Sequence, residues 1–359
     1  MTMKGFLTPN HFLYLVFLFI WGSLVSCKQE NRSTQNTSVG TQIHGKTMGT
    51  TYTIKCQSTN LKPLQSSIDS MLFAINMGTS TYMEESIISK FNARGNHFII
   101  NLIAPYHDHF WNNLKASKDI YTFSNGLFDP SCMPLVNYWG FGYTEKKAVT
   151  KVDSHKVNQI LTYVGFDKLD INKPDENTIR LTKSSANFAL DFSAIAKGYA
   201  VDVISTFLEE KMIVNYMVEI GGEVKVKGLN NKNTPWSIGI NKPISSAQQT
   251  DIEWIIHPKN QGMASSGNYR NYYETNGETY GHAINPLTGY PEQTDVLSSS
   301  VTHPSCMLAD ALATASMIMG KDAFLEATNR QNVFEACIIY LEQDTLQTVF
   351  SKGFEEFVQ

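Results

Sequence analysis

The sequence predicts an α+β fold, in which antiparallel strands pack against helices. Segments with helix periodicity and segments with strand alternation are mixed along the chain, without the regular βα order of a parallel sheet. Neither Gly-x-Gly-x-x-Gly nor Gly-x-x-x-x-Gly-Lys-Ser/Thr occurs, which argues against the Rossmann and P-loop classes of nucleotide-binding protein. The 359 residues are sufficient for a large core.

Local patterns place the individual elements. Helix periodicity, capping residues and helix-ending glycines predict helices at residues 63–76, 105–123, 154–164, 194–211, 305–319 and 322–328. Runs rich in β-branched and aromatic residues predict strands at 48–55, 178–182, 188–191, 216–227, 236–241, 252–257, 262–265, 269–274, 298–302, 336–341 and 345–351. Gly221 and Gly222 interrupt one run and predict a bend or bulge inside a long strand pair.

Residues 191–202 (Asp-Phe-Ser-Ala-Ile-Ala-Lys-Gly-Tyr-Ala-Val-Asp) mark the start of the predicted helix at 194–211. Asp191 and Ser193 are residue types that cap helices. The first turn of a helix carries unpaired N–H groups and a partial positive charge, where phosphates bind readily. A carboxylate before that turn and the ammonium of Lys197 within it form a candidate phosphate site. A simple cap with a solvated lysine is also consistent with the sequence.

Asp310 and Thr314 lie four residues apart on the predicted helix at 305–319, so their side chains share a face. Ser305 is placed to cap this helix and Gly320 to end it. A lone carboxylate among small and apolar residues needs a partner, because an unpaired buried charge is costly. Two interpretations stay open. One is a hard oxygen site for Mg²⁺. In the other, Thr314 bonds back to the Asp310 carbonyl and Asp310 caps a neighbouring loop.

The N-terminus predicts an exported lipoprotein. Residues 1–26 have the pattern of a bacterial lipoprotein signal peptide, with an apolar stretch at 12–20 that is too short to span a bilayer comfortably. The sequence Leu-Val-Ser-Cys is a lipobox, which makes Cys27 the predicted lipidation site. The polar residues of 27–42 predict a flexible tether, and 43–359 the folded domain. The predicted location is the periplasmic side of a bacterial cell membrane, with the chain held there by lipid.

Charge and cysteine content exclude several classes of function. A net charge of −4 without basic runs argues against nucleic acid as a partner. The other cysteines, Cys56, Cys132, Cys306 and Cys337, form no Cys-x-x-Cys motif, which disfavours zinc and thiol redox chemistry. Sequence alone does not determine whether these cysteines form disulfides.

Further motifs occur in a fixed order between residues 45 and 320. They are Thr-Met-Gly-Thr-Thr-Tyr at 47–52, Ser-Thr-Tyr at 80–82, Ser-Ile-Ile-Ser-Lys-Phe-Asn at 86–92, Phe-Asp-Pro at 128–130, Pro-Leu-Val-Asn-Tyr-Trp-Gly-Phe-Gly at 134–142, Val-Glu-Ile-Gly-Gly-Glu at 218–223, Ser-Ser-Gly-Asn-Tyr at 265–269 and His-Ala-Ile-Asn-Pro-Leu-Thr-Gly-Tyr-Pro at 282–291. Together with the Asp191 and Asp310 segments, this series resembles the ApbE-type FAD:protein FMN transferases, formerly called thiamine biosynthesis lipoproteins. Each motif is weak alone, but their common order makes the resemblance specific.

The resemblance implies a T-fold-like α+β core that holds FAD as substrate and Mg²⁺ as cofactor. The positions that match the family's FAD site are Met48, Tyr82, Leu127, Phe128, Asp129, Asp191, Lys197 and Ala283. The metal would be held by the backbone carbonyl of Ala194 and by the side chains of Asp310 and Thr314, which favours the Mg²⁺ interpretation of that helix. Two positions depart from the family pattern: Ala313 stands where some members have a second acid, and Asn285 replaces a common aspartate.

The implied activity is Mg²⁺-dependent transfer of FMN from FAD to a Thr or Ser hydroxyl, with release of AMP. The acceptors implied by the family are exported flavoprotein subunits of membrane redox complexes. His282 is the candidate base, because the unperturbed pKa of an imidazole lies near neutrality, although a lone histidine is more often structural. Asp310 is the other catalytic candidate. Two alternatives use the same pocket: hydrolysis of FAD to FMN and AMP, and non-catalytic FAD binding by a lipoprotein.

Overall fold

An eight-stranded antiparallel sheet organises the protein. The computed structural model describes residues 41–358 except 58, 94, 143–148, 150, 245–247, 249, 269–271 and 276–277. The described residues pack as one unit. The predicted signal peptide, Cys27 and nearly all of the predicted tether lie outside the described residues.

The strands and helices follow one another in a mixed order. The strands are β1 Thr41–Thr47, β2 Thr50–Cys56, β3 His97–Asn101, β4 Leu169–Asn172, β5 Thr178–Lys183, β6 Tyr216–Ile220, β7 Glu223–Lys227, β8 Ile238–Asn241, β9 Ile252–Ile256, β10 Gly262–Gly267, β11 Tyr272–Thr275, β12 Glu278–Gly281, β13 Val296–His303, β14 Glu335–Glu342 and β15 Thr345–Phe350. The α-helices are α1 Gln65–Thr79, α2 Ile87–Ala93, α3 His107–Phe123, α4 Met133–Tyr138, α5 Ser154–Leu161, α6 Ala196–Glu210, α7 Cys306–Met319 and α8 Lys321–Gln331. Short 3-10 turns cover Lys62–Leu64, Pro130–Cys132, Phe166–Lys168 and Phe354–Phe357.

The main sheet has the strand order β1-β2-β6-β7-β10-β13-β14-β15, and smaller sheets are formed by β3-β5-β4, β8-β9 and β11-β12. Successive side chains of a strand point to opposite faces of the sheet. In β7, Val224 and Val226 therefore pack into the apolar cluster that includes Trp236 and Ile256. On the other face of the sheet, Tyr216, Val218 and Ile220 of β6 pack with α1 and α6 in a second cluster. This arrangement of antiparallel sheets and helices confirms the predicted α+β class.

Two of the strand predictions are corrected. The segment at 188–191 is not a strand, because the N–H and C=O of Leu190 bond to the side chain of Asn92 instead of a neighbouring strand. Gly221 and Gly222 form a tight turn and not a bulge, since Ile220 pairs directly with Glu223 across an antiparallel hairpin. Both glycines have positive φ, of 63° and 106°, which few other residues adopt.

Local signals did not predict every element. The short helices α2 and α4 and the strands β1, β3, β4 and β12 were not predicted, and the predicted strand at 269–274 lies partly outside the described residues. Over the residues that the structure describes, every helix is too short or too polar to cross a lipid bilayer.

Candidate active site

The N-termini of α6 and α7 meet at a very close contact. A Cβ atom added at Gly198, in the first turn of α6, would lie 2.3 Å from the carbonyl oxygen of Cys306 at the start of α7. Real Cβ atoms do not approach a carbonyl oxygen so closely, so the packing of these helices requires glycine at this position. The two helix starts that the sequence singled out separately therefore form one site.

Each of these helices supplies a carboxylate that caps the other. The N–H of Gly198 donates to Asp310 Oδ2 over 3.0 Å, which satisfies one unpaired donor of α6. In return, the N–H groups of Cys306 and Met307 donate to the two carboxylate oxygens of Asp202 on α6, each over 3.0 Å. Ser305 caps α7 as predicted, accepting a bond from the N–H of Leu308. The relative position of the two helices is thus fixed by two reciprocal caps.

Asp191 and Ser193 do not cap α6, which corrects the sequence prediction. The helix begins two residues later than predicted, at Ala196, and its N-cap Ile195 makes no side-chain bond. The Asp191 carboxylate instead accepts bonds from the N–H and the hydroxyl of Ser193, both over 2.9 Å. Burial raises the pKa of Asp191, although these two bonds oppose the shift. The N–H of Asp191 donates to the carbonyl of Pro130, so this turn lies directly beside the Phe128–Pro130 segment.

Three charged side chains meet at the start of α6, where Glu223 and Asp310 are buried and Lys197 is partly exposed. Lys197 Nζ lies 2.6 Å from Glu223 Oε1 on β7 and 3.8 Å from Asp310 Oδ1. Burial alone would lower the pKa of Lys197, but the charges of Asp310 and Glu223 outweigh it and hold that pKa above its ordinary value. Burial raises the pKa of both carboxyl groups, with Lys197 opposing the shift. When both carboxyl groups are ionised, the two acids face one ammonium and the cluster carries one net negative charge.

Thr314 points toward strand β10 and not toward its own helix backbone. Its hydroxyl lies 3.1 Å from the hydroxyl of Ser266. The sequence left open a bond from Thr314 back to the Asp310 carbonyl, and this prediction is wrong. It also left open that Asp310 caps a neighbouring loop; Asp310 does act as a cap, but for the first turn of helix α6.

The oxygen donors near Asp310 fit a hard cation better than a soft one. Among the described residues, no group of three or more His, Cys, Asp or Glu side chains is close enough to hold a metal. Asp310 would be the charged ligand, with the Thr314 hydroxyl one turn away on the same helix. The excess negative charge of the buried cluster favours a cation there. Oxygen ligands completed by water and phosphate are what Mg²⁺ prefers.

Three of the eight predicted FAD residues belong to one apolar cluster. Phe128 and Ala283 are buried in it, and Met48 packs against it, as does Ala194 of the predicted metal site. Met48 lies in the turn between β1 and β2 with φ of 50°, and not in a strand as predicted. Leu127 is partly buried beside Phe128.

Asp129 is buried and organises the backbone around the Phe128–Pro130 segment. Its two carboxylate oxygens accept bonds from the N–H groups of Ser131 and Phe166, over 2.7 and 2.9 Å. Burial raises its pKa against these bonds. Its carboxylate therefore holds two chain segments in place, and its contact with FAD stays a prediction.

Tyr82 and His282 are placed by loops. Tyr82 lies between α1 and α2 and is 76% exposed. The half-buried His282 ring has its centroid 6.4 Å from that of Phe141. The turn after His282 is closed by Asn285, whose side-chain oxygen accepts a bond from the N–H of Leu287. The substitution of asparagine for the family's common aspartate thus retains a turn-closing acceptor.

Three residues of this site were missed as functional candidates: Asp202, Glu223 and Ser266. The alternation of Glu223, Lys225 and Lys227 in β7 was the available signal, because it places three charges on one face of a strand. No local signal indicates that Asp202 caps a helix that begins 104 residues later.

Comparisons with known proteins show the family to which the chain belongs. The sequence model of the ApbE family matches residues 48–338. A protein from Vibrio cholerae named FAD:protein FMN transferase is 37% identical over 325 residues, which cover 88% of this chain and 93% of that protein. A protein of the same name from Haemophilus influenzae is 34% identical, covering 88% of this chain and 89% of its own length.

Solved structures give the same result. The flavin transferase ApbE from Vibrio cholerae superposes with a TM-score of 0.79 at 34% identity, covering 89% of this chain and 99% of its own. The apo form of the Pseudomonas stutzeri flavinyl transferase ApbE has a TM-score of 0.78 at 29% identity, covering 89% of this chain and 96% of its own.

Proposed function

The chain belongs to the ApbE family of flavin transferases, and we propose that it transfers FMN from FAD to a Thr or Ser hydroxyl of an acceptor protein, with release of AMP. The observation that carries this proposal is the meeting of two helix starts, which brings Lys197, Asp310 and the N-terminus of α6 together. A helix N-terminus with an added ammonium is suited to a diphosphate.

Different parts of the site have different proposed roles in binding FAD. Lys197 and the first turn of α6 would bind and orient the diphosphate of FAD. The surfaces near Met48, Phe128 and Ala283 would hold the flavin, because an aromatic ring system packs well against flat apolar groups. Leu127, Asp129, Asp191 and Tyr82 are the further proposed FAD contacts.

Mg²⁺ would be held by Asp310, Thr314 and the carbonyl of Ala194. There it would supply positive charge to offset the negative charge of the diphosphate and of the leaving AMP. The buried oxygen donors and the excess negative charge around Asp310 support this assignment.

In the transfer step, the acceptor hydroxyl attacks the phosphorus next to riboflavin. A new P–O bond to the acceptor forms, and the P–O bond to the AMP phosphate breaks. His282 would take the proton from the attacking hydroxyl, because a neutral imidazole is a base near pH 7. The products are an FMN phosphoester on the acceptor and free AMP.

We place the protein on the periplasmic side of a bacterial cell membrane, held by lipid at Cys27. The lipobox and the polar stretch that follows it support this location. The acceptors would be exported flavoprotein subunits of membrane redox complexes. Cys27→Ser should abolish incorporation of labelled palmitate and release the protein into the soluble fraction. Incorporation equal to that of the wild type would overturn the lipidation site.

The activity is tested by incubating the purified protein with FAD, Mg²⁺ and an acceptor subunit, followed by mass spectrometry of the acceptor. A mass gain of one FMN supports transfer. Free FMN and AMP without that gain would show hydrolysis, and unchanged FAD would indicate a binding protein only; either result would overturn the proposal.

Asp310→Ala tests the proposed metal site in the same assay. The variant should lose transfer by at least about 1,000-fold, because the only charged ligand is removed. Asp322→Ala is the matched control, since Asp322 is 91% exposed on α8 and should leave the rate unchanged. Normal transfer by Asp310→Ala would rule out this metal site.

A further inference from the structure

Strand β7 and helix α6 are joined by three ion pairs in a row. The pairs are Glu223–Lys197 at 2.6 Å, Lys225–Asp202 at 2.7 Å and Lys227–Glu209 at 2.7 Å. Residues 223, 225 and 227 alternate along the strand, so all three strand side chains point to the same face and meet the helix.

The first pair differs from the other two in polarity and in the burial of its acid. The lysine is on the helix and the acid on the strand only for Glu223–Lys197; the order is reversed in the other two. The Glu223 side chain is 5% exposed, whereas the acids of the other two pairs, Asp202 and Glu209, are 19% and 38% exposed. The reversed pair therefore has the most buried acid, and it is the one beside Asp310.

Lys197 lies where a helix is least favourable to a cation. It is the second residue of α6, and the N-terminal end of a helix carries partial positive charge. An ammonium at this position needs nearby carboxylates. Asp310 supplies one, but its Oδ2 already accepts the bond from Gly198, and its Oδ1 is 3.8 Å from Nζ. Glu223 makes the closer contact.

One carboxylate oxygen of Glu223 makes no hydrogen bond within the described residues. Oε1 accepts the bond from Lys197, while Oε2 is buried and has no hydrogen-bond partner among the described residues. Buried carboxylate oxygens are normally bonded, so Oε2 is able to accept a further hydrogen bond. The Gly221–Gly222 turn fixes Glu223 at the first position of β7, and a Cβ at Gly221 would lie 3.3 Å from Lys197 Cδ, so this turn also leaves space for the lysine side chain.

We propose that Glu223 is a positioning residue that holds the ammonium of Lys197 between β7 and Asp310, aimed at the place where a phosphate of FAD binds. This inference rests on the proposed function for its phosphate, but the hold of Glu223 on Lys197 is a property of the protein alone. Glu223 does not touch the reacting atoms. It acts by restricting a flexible four-carbon side chain, which is what an orientation-dependent reaction requires.

The first test measures Lys197 without any substrate. The wild type and Glu223→Gln are treated briefly with acetic anhydride at pH 9, and acetylation of each lysine is quantified by peptide mass spectrometry. Glu223→Gln should raise the acetylation rate of Lys197 about tenfold, because loss of a close carboxylate increases the fraction of unprotonated amine. Glu209→Gln is the matched control and should leave the Lys197 rate unchanged. A Lys197 rate within twofold of the wild type in Glu223→Gln would overturn the proposal.

The second test separates this inference from the proposed function. In the FMN transfer assay, Glu223→Gln should lower kcat about 100-fold while the KM for FAD changes less than about threefold, since the ammonium is still present but no longer oriented. A wild-type protein that transfers no FMN would refute the proposed function and leave the acetylation result standing. Transfer by Glu223→Gln at the wild-type kcat would refute the positioning role alone.

Urea unfolding will show whether the Glu223→Gln variant folds. Glu223→Asp provides a second variant if it does not. The aspartate keeps the carboxylate, so acetylation of Lys197 should stay within about threefold of the wild type. A tenfold increase in Glu223→Asp would show that charge at this position does not hold the lysine, and would overturn the proposal.

Discussion

Removal of the Asp202 carboxylate should destabilise the protein strongly, because this one side chain holds three segments together. Asp202 accepts bonds from the N–H groups of Cys306 and Met307, from the Ser305 hydroxyl over 2.6 Å and from Lys225 Nζ over 2.7 Å. Loss of a helix cap costs about 1 kcal/mol, and loss of a partly buried bond to a charged group about 2 kcal/mol. We expect Asp202→Ala to lower the free energy of unfolding by about 3 kcal/mol.

Urea unfolding followed by circular dichroism measures this effect. The slope of the free energy of unfolding against urea concentration should be the same for the variant and the wild type. Asp322→Ala is the control, because the exposed Asp322 should contribute less than about 0.5 kcal/mol. Asp202→Asn should lie between the wild type and Asp202→Ala, since the amide keeps one acceptor oxygen. A loss of less than about 0.5 kcal/mol in Asp202→Ala would refute the reciprocal capping of α6 and α7.

Three further predictions concern other contacts of the fold. Gly198→Ala should lower the free energy of unfolding by about 2 kcal/mol, because the new methyl group meets the Cys306 carbonyl; a stability gain in urea, the usual result of this substitution in a helix, would contradict the close contact. Asn92→Ala should cost about 2 kcal/mol in the same measurement by leaving Leu190 without its partners, and an unchanged midpoint would contradict this. Burial lowers the pKa of His109 below its ordinary 6.5, so the unfolded chain binds a proton more readily than the folded protein. The contribution of His109 to stability is therefore fully present above pH 6.5 and is lost as the pH decreases. His109→Gln should reduce that slope by up to about 1.4 kcal/mol per pH unit, and an unchanged slope in unfolding curves between pH 4.5 and 7 would count against it.

Elements encoded by neighbouring residues were predicted well. Helix α7 runs from Cys306 to Met319 because Ser305 caps it and Gly320 ends it, and both signals are adjacent in sequence. Helix α3 ends at Phe123, as predicted. Local patterns also singled out Asp191, Lys197, Asp310 and Thr314, whereas the other proposed FAD and metal positions, such as Met48, came from the family motifs alone.

Contacts between distant segments were not predictable in the same way. Asp310 was expected to need a partner, but the sequence does not show that the partner is the N–H of a residue 112 positions earlier. The strand predicted at 188–191 failed for the same reason. Its apolar residues suit a strand, yet the side chain of Asn92, 98 positions away from Leu190, takes the place of the neighbouring strand.

The reversed ion pair connects these observations, because it conflicts with a local rule. Along α6, acids at Asp202 and Glu209 face lysines on β7, and the same order at the start of α6 would place an acid near the helix N-terminus, where the dipole favours it. The chain has Lys197 there instead, and supplies a buried Glu223 to hold it. A conflict that costs stability persists when the site requires it. An acid at position 197 would repel a diphosphate, whereas a lysine held by Glu223 attracts one, so the reversal supports the proposed phosphate site at this end of the row of ion pairs.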